Sequence, residues 1–242
     1  MKDKFPIVSF FGLRFNLAID ISVLITCVIV FCLSIYFTRN LKMKPSKKQN
    51  MIEWLIDFTN GIVDSSIYSS DSNNFYMFSF VLFCFVFIAN QLGLLVELII
   101  NGYTWIDSPT ANGVVTLGLA LMVLLISHFY GVKKYGFLGY LKLYIKPMPV
   151  LLPINIIEEF TNFLTLGLRL YGNIFAGEVL LMLVAKLGMM LHAFSFLVIP
   201  IEVIWQGFSV FIGSIQAFIF VTLSMVYISA KINPEWFIII FY

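Results

Sequence analysis

The stretch 153–184 reads PINIIEEFTNFLTLGLRLYGNIFAGEVLLMLV, and its apolar run is broken by Glu158, Glu159, Asn162, Arg169, Asn173 and Glu178. An ionisable side chain inside a membrane span is expensive, so this set marks a functional site by default. Arginine is the informative member. Its guanidinium stays protonated where a buried lysine can lose its proton. It can also hold a carboxylate through two parallel hydrogen bonds. A fixed cation there attracts an ionised carboxylate and repels passing protons. The blander alternatives are a permanent pair with Glu158 or snorkelling to the interface. Eleven residues separate Arg169 from Glu158, roughly 16 Å of helix rise, too far for a pair within one helix. The mid-run position of Arg169 disfavours snorkelling.

Projected at about 100° per residue from Arg169, Glu158 falls near −20°, Asn162 near +20° and Asn173 near +40°. Glu159 lies on the flank at about +80° and Glu178 on the opposite side at about 180°. One acid shares the arginine's face, and another points away nearer the other end. Two separate polar regions meeting near the arginine fit this better than one continuous pore. A second stripe follows downstream. Glu202, Ser209 and Gln216 recur at spacing seven and share a face with about 20° of drift per step. Gln206 lies beside them, and the small Gly207, Gly213 and Ser214 permit close helix approach. Polar glue between helices explains Ser209 and Gln216 as readily as an ion route does. Asp20, Asn90 and Glu97 read as wetted groups near span ends, and His128 and His192 as structural or interfacial. No metal spacing of the HExxH type, Walker loop or GxGxxG occurs, so no cofactor or nucleotide site is expected.

These side chains must be positioned by membrane helices. The chain is 60% hydrophobic and 12% charged, where an ordinary soluble domain is about 25% charged. At about 20 apolar residues per crossing, spans are expected at 17–38, 75–100, 114–132, 153–190 and 196–228. Residues 51–68 are too polar to span. Their apolar positions Ile52, Leu55, Ile56, Phe58 and Ile62 predict an amphipathic helix lying at the interface. The expected fold is an all-α polytopic membrane protein forming a single integral membrane domain. About five helices cross, and the last two are long enough to require tilt or bending. The first apolar run reads as a permanent span rather than a cleaved signal. Cys27, Cys32 and Cys84 read as small buried hydrophobes. A net charge of +2 gives no reason to expect nucleic acid as a partner.

Orientation follows from basic residues in short loops. Arg39, Lys42, Lys44, Lys47 and Lys48 follow the first span, and Lys133, Lys134, Lys142 and Lys146 the third. Lys231 follows the last, and 101–113 holds no Lys or Arg. The expectation is an external N-terminus and a cytoplasmic C-terminus, with Lys2, Lys4, Arg14 and Lys186 mildly opposed.

TLGLRLYGNIFAGEVLL at 165–181 resembles the signature of the a subunit of F-type ATP synthases. NLKMKPSKKQNMIEWLIDF, SPTANGVVTLGLAL, PINIIEEFTNFLTLGLRL and SVFIGSIQAFIFVTLSMVYIS match in order over nearly the whole chain. The IIEEF and FAGE wording is most similar to Gram-positive versions. The resemblance implies a bacterial plasma-membrane protein packed against a ring of c subunits, with b subunits and a soluble catalytic head as further partners. It implies that Arg169 faces the ring, that Asn173 lies one turn on, and that Gln216 stands opposite the arginine. Glu178 would serve an outer half-channel, and Glu158 or Glu159 a cytoplasmic one. Some relatives carry His or Glu where Ser209 stands, and some an Asp in place of Asn112. The implied function is proton translocation, with catalysis left to partners. A sodium-translocating version is the first alternative. A secondary transporter is a more distant one, since no paired repeats are visible.

Overall fold

The computed structural model describes residues 7–10, 13–39, 42, 46–67, 71–95, 98–100, 103–106, 108–145, 150, 152–190 and 198–233. Lys2, Lys4, Lys44, Glu97, Lys146 and His192 lie outside the described residues. A short hairpin of β1 (Ile7–Phe10) and β2 (Leu13–Asn16) leads into α1 (Leu17–Thr38). Then come α2 (Lys47–Ser66) and α3 (Tyr76–Leu95). A second hairpin, β3 (Leu98–Ile100) with β4 (Tyr103–Ile106), and a 3-10 turn at Pro109–Ala111 precede α4 (Gly113–Tyr135). The chain continues through α5 (Phe137–Ile145), α6 (Leu152–Met190) and α7 (Val198–Ile232).

Among the described residues, five helices are long and apolar enough to cross a membrane: α1, α3, α4, α6 and α7. With 39 and 35 residues, α6 and α7 are about 58 and 52 Å long, well beyond a hydrocarbon core of about 30 Å. α2 begins where Ser46 accepts the amide of Gln49, an N-cap. It buries Gln49, Ile52, Thr59, Ile62 and Val63 on one face while Trp54 stays exposed. That one-sided burial is what an interfacial helix needs.

The core lies where α2, α3, α4, α6 and α7 converge on Ile62, Phe75, Val86, Val123, Leu170 and Phe220. Apolar burial gains little against lipid, so close packing and satisfied polar groups hold such a bundle. Ser22, Thr26 and Ser224 are buried and return their hydroxyls to carbonyls one turn back. Asn90 Nδ2 donates to Gly213 O at 2.8 Å, and Gln91 Nε2 to Val210 O and Ser214 Oγ at 3.2 Å each. Gly213 lies against Asn90 and Gln91 where α3 meets α7.

The ends of the bundle differ in character. Lys134 bridges Asp71 at 3.0 Å and donates to Asn233 Oδ1 at 3.1 Å, joining the start of α3 to the ends of α4 and α7. Lys48 donates to Tyr36 at the end of α1. Thus the described basic residues around α2 and after α4 share one end. β4 and the Pro109–Ala111 turn pack at the other end, against α1 and against α3, α4 and α6.

Several expectations require correction. The second span stops at Leu95, and residues 98–100 are a strand. Ile99 and Ile100 are β-branched, and the dipeptide Asn101–Gly102 that follows them is a hairpin signal that outweighs the apolar run. The basic segment after α4 is largely helical. Gly136 takes φ 71° and ends α4 by returning its N–H to Val132 O at 2.8 Å, a conformation suited to glycine. The nine residues of α5 then run with Tyr140 buried and Phe137 and Leu138 exposed. α7 continues four residues past 228, which carries Lys231 onto its last turn. Asn90 is fully buried rather than wetted. Cys27 and Cys32 are exposed on α1, and Cys84 is half-buried.

Candidate functional site

α6 and α7 run antiparallel, and their contacts define a ladder from Glu159 with Lys231, through Asn173 with Gln216, to Gly177 with Trp205. Arg169 sits midway on α6 and is exposed. Among the described residues it has neither an ion-pair nor a hydrogen-bond partner. Tyr227 on α7 is close enough to feel the charges of both Arg169 and Glu158. The surface around the arginine is apolar and open. Leu168, Phe175, Val179 and Leu183 on α6 are exposed, as are Ile204, Phe208, Phe211, Ile215 and Phe218 on α7. Far fewer side chains are buried within the chain along α6 than along α7, so α6 presents most of its surface outward.

A cavity of about 160 Å³ lies on the N-terminal side of Arg169 along α6. Asn155, Glu158, Glu159 and Asn162 line it from α6, Tyr140 and Tyr144 from α5, and Tyr227 and Lys231 from α7. Glu158 is exposed and Asn162 half-buried. Glu159 is held from several directions. It pairs with Lys231, accepts from the Tyr144 hydroxyl at 3.3 Å, and stands 4.0 Å from His128 Nε2. Asn155 Nδ2 fixes the Tyr144 carbonyl at 2.9 Å. Burial raises the pKa of the Tyr144 phenol, as does its bond to Tyr140, so Tyr144 remains a neutral donor.

A second cavity of about 170 Å³ lies on the other side, lined by Asn173, Gly177, Trp205, Phe208 and Ser209 among others. Asn173 Nδ2 donates to Gln216 Oε1 at 2.8 Å across the helix pair. Ser209 Oγ and Gln216 Nε2 are buried with no hydrogen-bond partner among the described residues, and such atoms call for water or an exchanging ligand. A volume of this size holds several waters, each occupying about 30 Å³ in the liquid. Glu178 and Glu202 are half-buried and are not among the lining residues of this cavity. Asn162 and Asn173, one at each cavity, lie seven and four residues from Arg169, about 10 and 6 Å of rise.

The structure therefore brings Glu158, Glu159 and Asn162 together, and separately Asn173, Ser209 and Gln216, with Arg169 between the two groups. Sequence reasoning missed Tyr144, Tyr227 and the inward role of Lys231. The one available signal was the adjacency of two acids at 158–159, which asks for a cation nearby.

These features define a polytopic helical membrane protein with an outward-facing cation, unpaired among the described residues, between two cavities that each hold polar side chains. The chain belongs to the ATP synthase A chain family, whose model matches residues 21–229. It is 53% identical over 224 residues to ATP synthase subunit a of Enterococcus hirae, covering 91% of this chain and 94% of that one. The corresponding protein of Pediococcus pentosaceus is 48% identical over 229 residues, covering 94% and 96%. That of Anoxybacillus flavithermus is 48% identical over 236 residues, covering 97% of this chain and all of the relative. Membership places the chain in ATP synthesis and ion transport.

Proposed function

We propose that the chain conducts protons between the two faces of the membrane by loading and unloading carboxylates on a rotating ring of c subunits. The carrying observation is Arg169, an exposed cation amid apolar surface with no carboxylate partner among the described residues of its own chain. A charge so placed needs an anion from elsewhere. A proton enters past Glu178, Asn173 and the Ser209 cavity and neutralises a ring carboxylate. The neutral site turns through lipid, where an ionised one would cost several kcal/mol. On the far side it gives up its proton through the cavity of Glu158, Glu159 and Asn162, then passes Arg169 ionised. Gln216 holds Asn173 beside that passage, and Glu202 belongs to the outer approach. One proton driven through 100 mV gains about 2.3 kcal/mol, so several must combine for each ATP. The catalytic head and the b subunits are the remaining partners.

The ring contact has a direct test. Cysteines replacing Leu168 or Ala176, both exposed on α6, are expected to cross-link to a small hairpin subunit in native membranes. A cysteine replacing Leu170, which is fully buried, is expected not to. Absence of a small-subunit adduct at both exposed positions contradicts the proposed ring face.

We also propose that the basic end of the bundle is cytoplasmic. In a variant lacking the native cysteines, Ser9→Cys is expected to react with an impermeant thiol reagent in intact cells. Ser46→Cys, at the exposed cap of α2, is expected to react only after the membrane is opened. The opposite pattern reverses the orientation.

A further inference from the structure

Two adjacent acids face the inner cavity, and the reading of that cavity as a proton exit does not say why there are two. Glu158 is exposed to the cavity mouth, on the same ideal-helix face as Arg169. Glu159 is part-buried, and every group that fixes it comes from a different helix. Lys231 on the last turn of α7 pairs with it and also donates to Tyr144 Oη at 3.1 Å, with its Nζ 4.7 Å from that ring's centre. Tyr144 on α5 donates to Glu159. His128 on α4 spends Nδ1–H on Leu124 O at 2.9 Å and turns Nε2 toward Glu159 and Tyr144. Tyr140 bonds Tyr144 at 3.0 Å, and Lys231 is also within electrostatic reach of Glu158.

We propose that Lys231 is a positioning residue of the proton exit: it pins Glu159 as a fixed anion bridging α5, α6 and α7, and leaves Glu158 as the acid that exchanges protons. This rests on the reading of the cavity as the cytoplasmic exit. A carboxylate held by a lysine and a phenol is fixed in place and favoured in its ionised form, so it is the poorer relay. Glu158, which forms no ion pair among the described residues, is the better one. Without Lys231 the two acids would share the cavity as like charges, and one would hold its proton to a higher pH. The titratable and charged groups facing Glu159 are Glu158, Lys231, Tyr140, Tyr144, Tyr227 and His128. Of these, only Lys231 is a cation that can cancel the second acid near neutral pH.

The test uses the whole complex, reconstituted in vesicles, with assembly checked by subunit content. Proton-driven ATP synthesis is measured against the pH on the side of the catalytic head. Lys231→Met is expected to cut the rate roughly tenfold and to move the pH profile about one unit alkaline. Adding Glu159→Gln to Lys231→Met removes the surplus anion and is expected to restore the profile and raise the rate several-fold above the single variant. Lys231→Arg, which keeps the cation, is expected to keep the wild-type profile. Glu158→Gln is expected to lose more than Glu159→Gln in an otherwise native chain. The proposal is overturned if the double variant is no faster than Lys231→Met and keeps its profile. It is equally overturned if Glu159→Gln loses as much as Glu158→Gln. If Lys231→Met does not assemble, the double variant still decides: a wild-type profile supports the proposal and a shifted one contradicts it. Failure here leaves the role of Arg169 standing, because that role is tested by different variants.

Discussion

Replacing Arg169 by alanine or by lysine is expected to abolish proton-driven ATP synthesis in an assembled enzyme. Arg169 is exposed in mid-helix with no anion paired to it among the described residues, so its counter-charge must arrive on a partner. An ionised carboxylate left without that cation at mid-membrane is destabilised by about 3 kcal/mol. At about 1.4 kcal/mol per decade, this is roughly a 100-fold loss in the ionised population. Ring sites would then keep their protons and fail to unload. Lysine restores a charge but not the planar fork or the very high pKa, so it is expected to rescue little. The measurement is ATP synthesis in reconstituted vesicles under an imposed proton gradient, with and without Na⁺ to separate the two ions. Synthesis by Arg169→Lys within about twofold of wild type would show that charge alone suffices, against the bidentate argument.

Glu178→Gln is expected to give the next largest loss, roughly 100-fold, the order seen when a positioned proton-transfer group is removed. The substitution keeps size and hydrogen-bonding shape while deleting the titratable group. Glu178 is half-buried on α6, next to Gly177 of the cavity that Asn173 and Ser209 line. Ser209 lines that cavity with a hydroxyl. The loss should appear in the proton-driven direction, with subunit content unchanged. Normal coupled synthesis by the variant would remove Glu178 from the required path. Asn173 and Gln216 would then be left to carry protons through water alone.

How much of this is legible in the sequence depends on the kind of signal. Arg169 stands out because a permanent charge in an apolar run is too costly to keep without a use, and the helix wheel groups Glu158 and Asn162 with it. The spans are legible from length and hydropathy alone. The contact between Asn173 and Gln216 joins residues 43 apart, and only the antiparallel packing of α6 on α7 produces it. Lys231 reads as a topology charge when the last span is expected to end at 228. Three more helical residues turn it inward onto Glu159. Tyr144 is hidden because the segment after the third span reads only as a basic stretch with no element assigned, although Gly136 is there to stop α4. Asn90 looks like a wetted span end, yet it is fully buried against Gly213. Hydropathy windows cannot see which neighbour supplies a partner. The β3–β4 hairpin is masked by apolar residues that lengthen the expected span, despite the Asn101–Gly102 turn signal.

The central claim is that Arg169 separates two proton routes, and passive proton conduction tests it most directly. Membrane sectors stripped of the catalytic head would be reconstituted in vesicles, and proton flux measured under an imposed potential. The two cavities flank Arg169 on opposite sides along α6, so without the cation no charge stands between them. Arg169→Ala sectors, with full subunit content, are expected to leak protons faster than wild type while failing to support synthesis once the head is restored. Arg169→Ala sectors that remain as tight as wild type, and whose restored enzyme makes ATP at a near wild-type rate, would contradict the account.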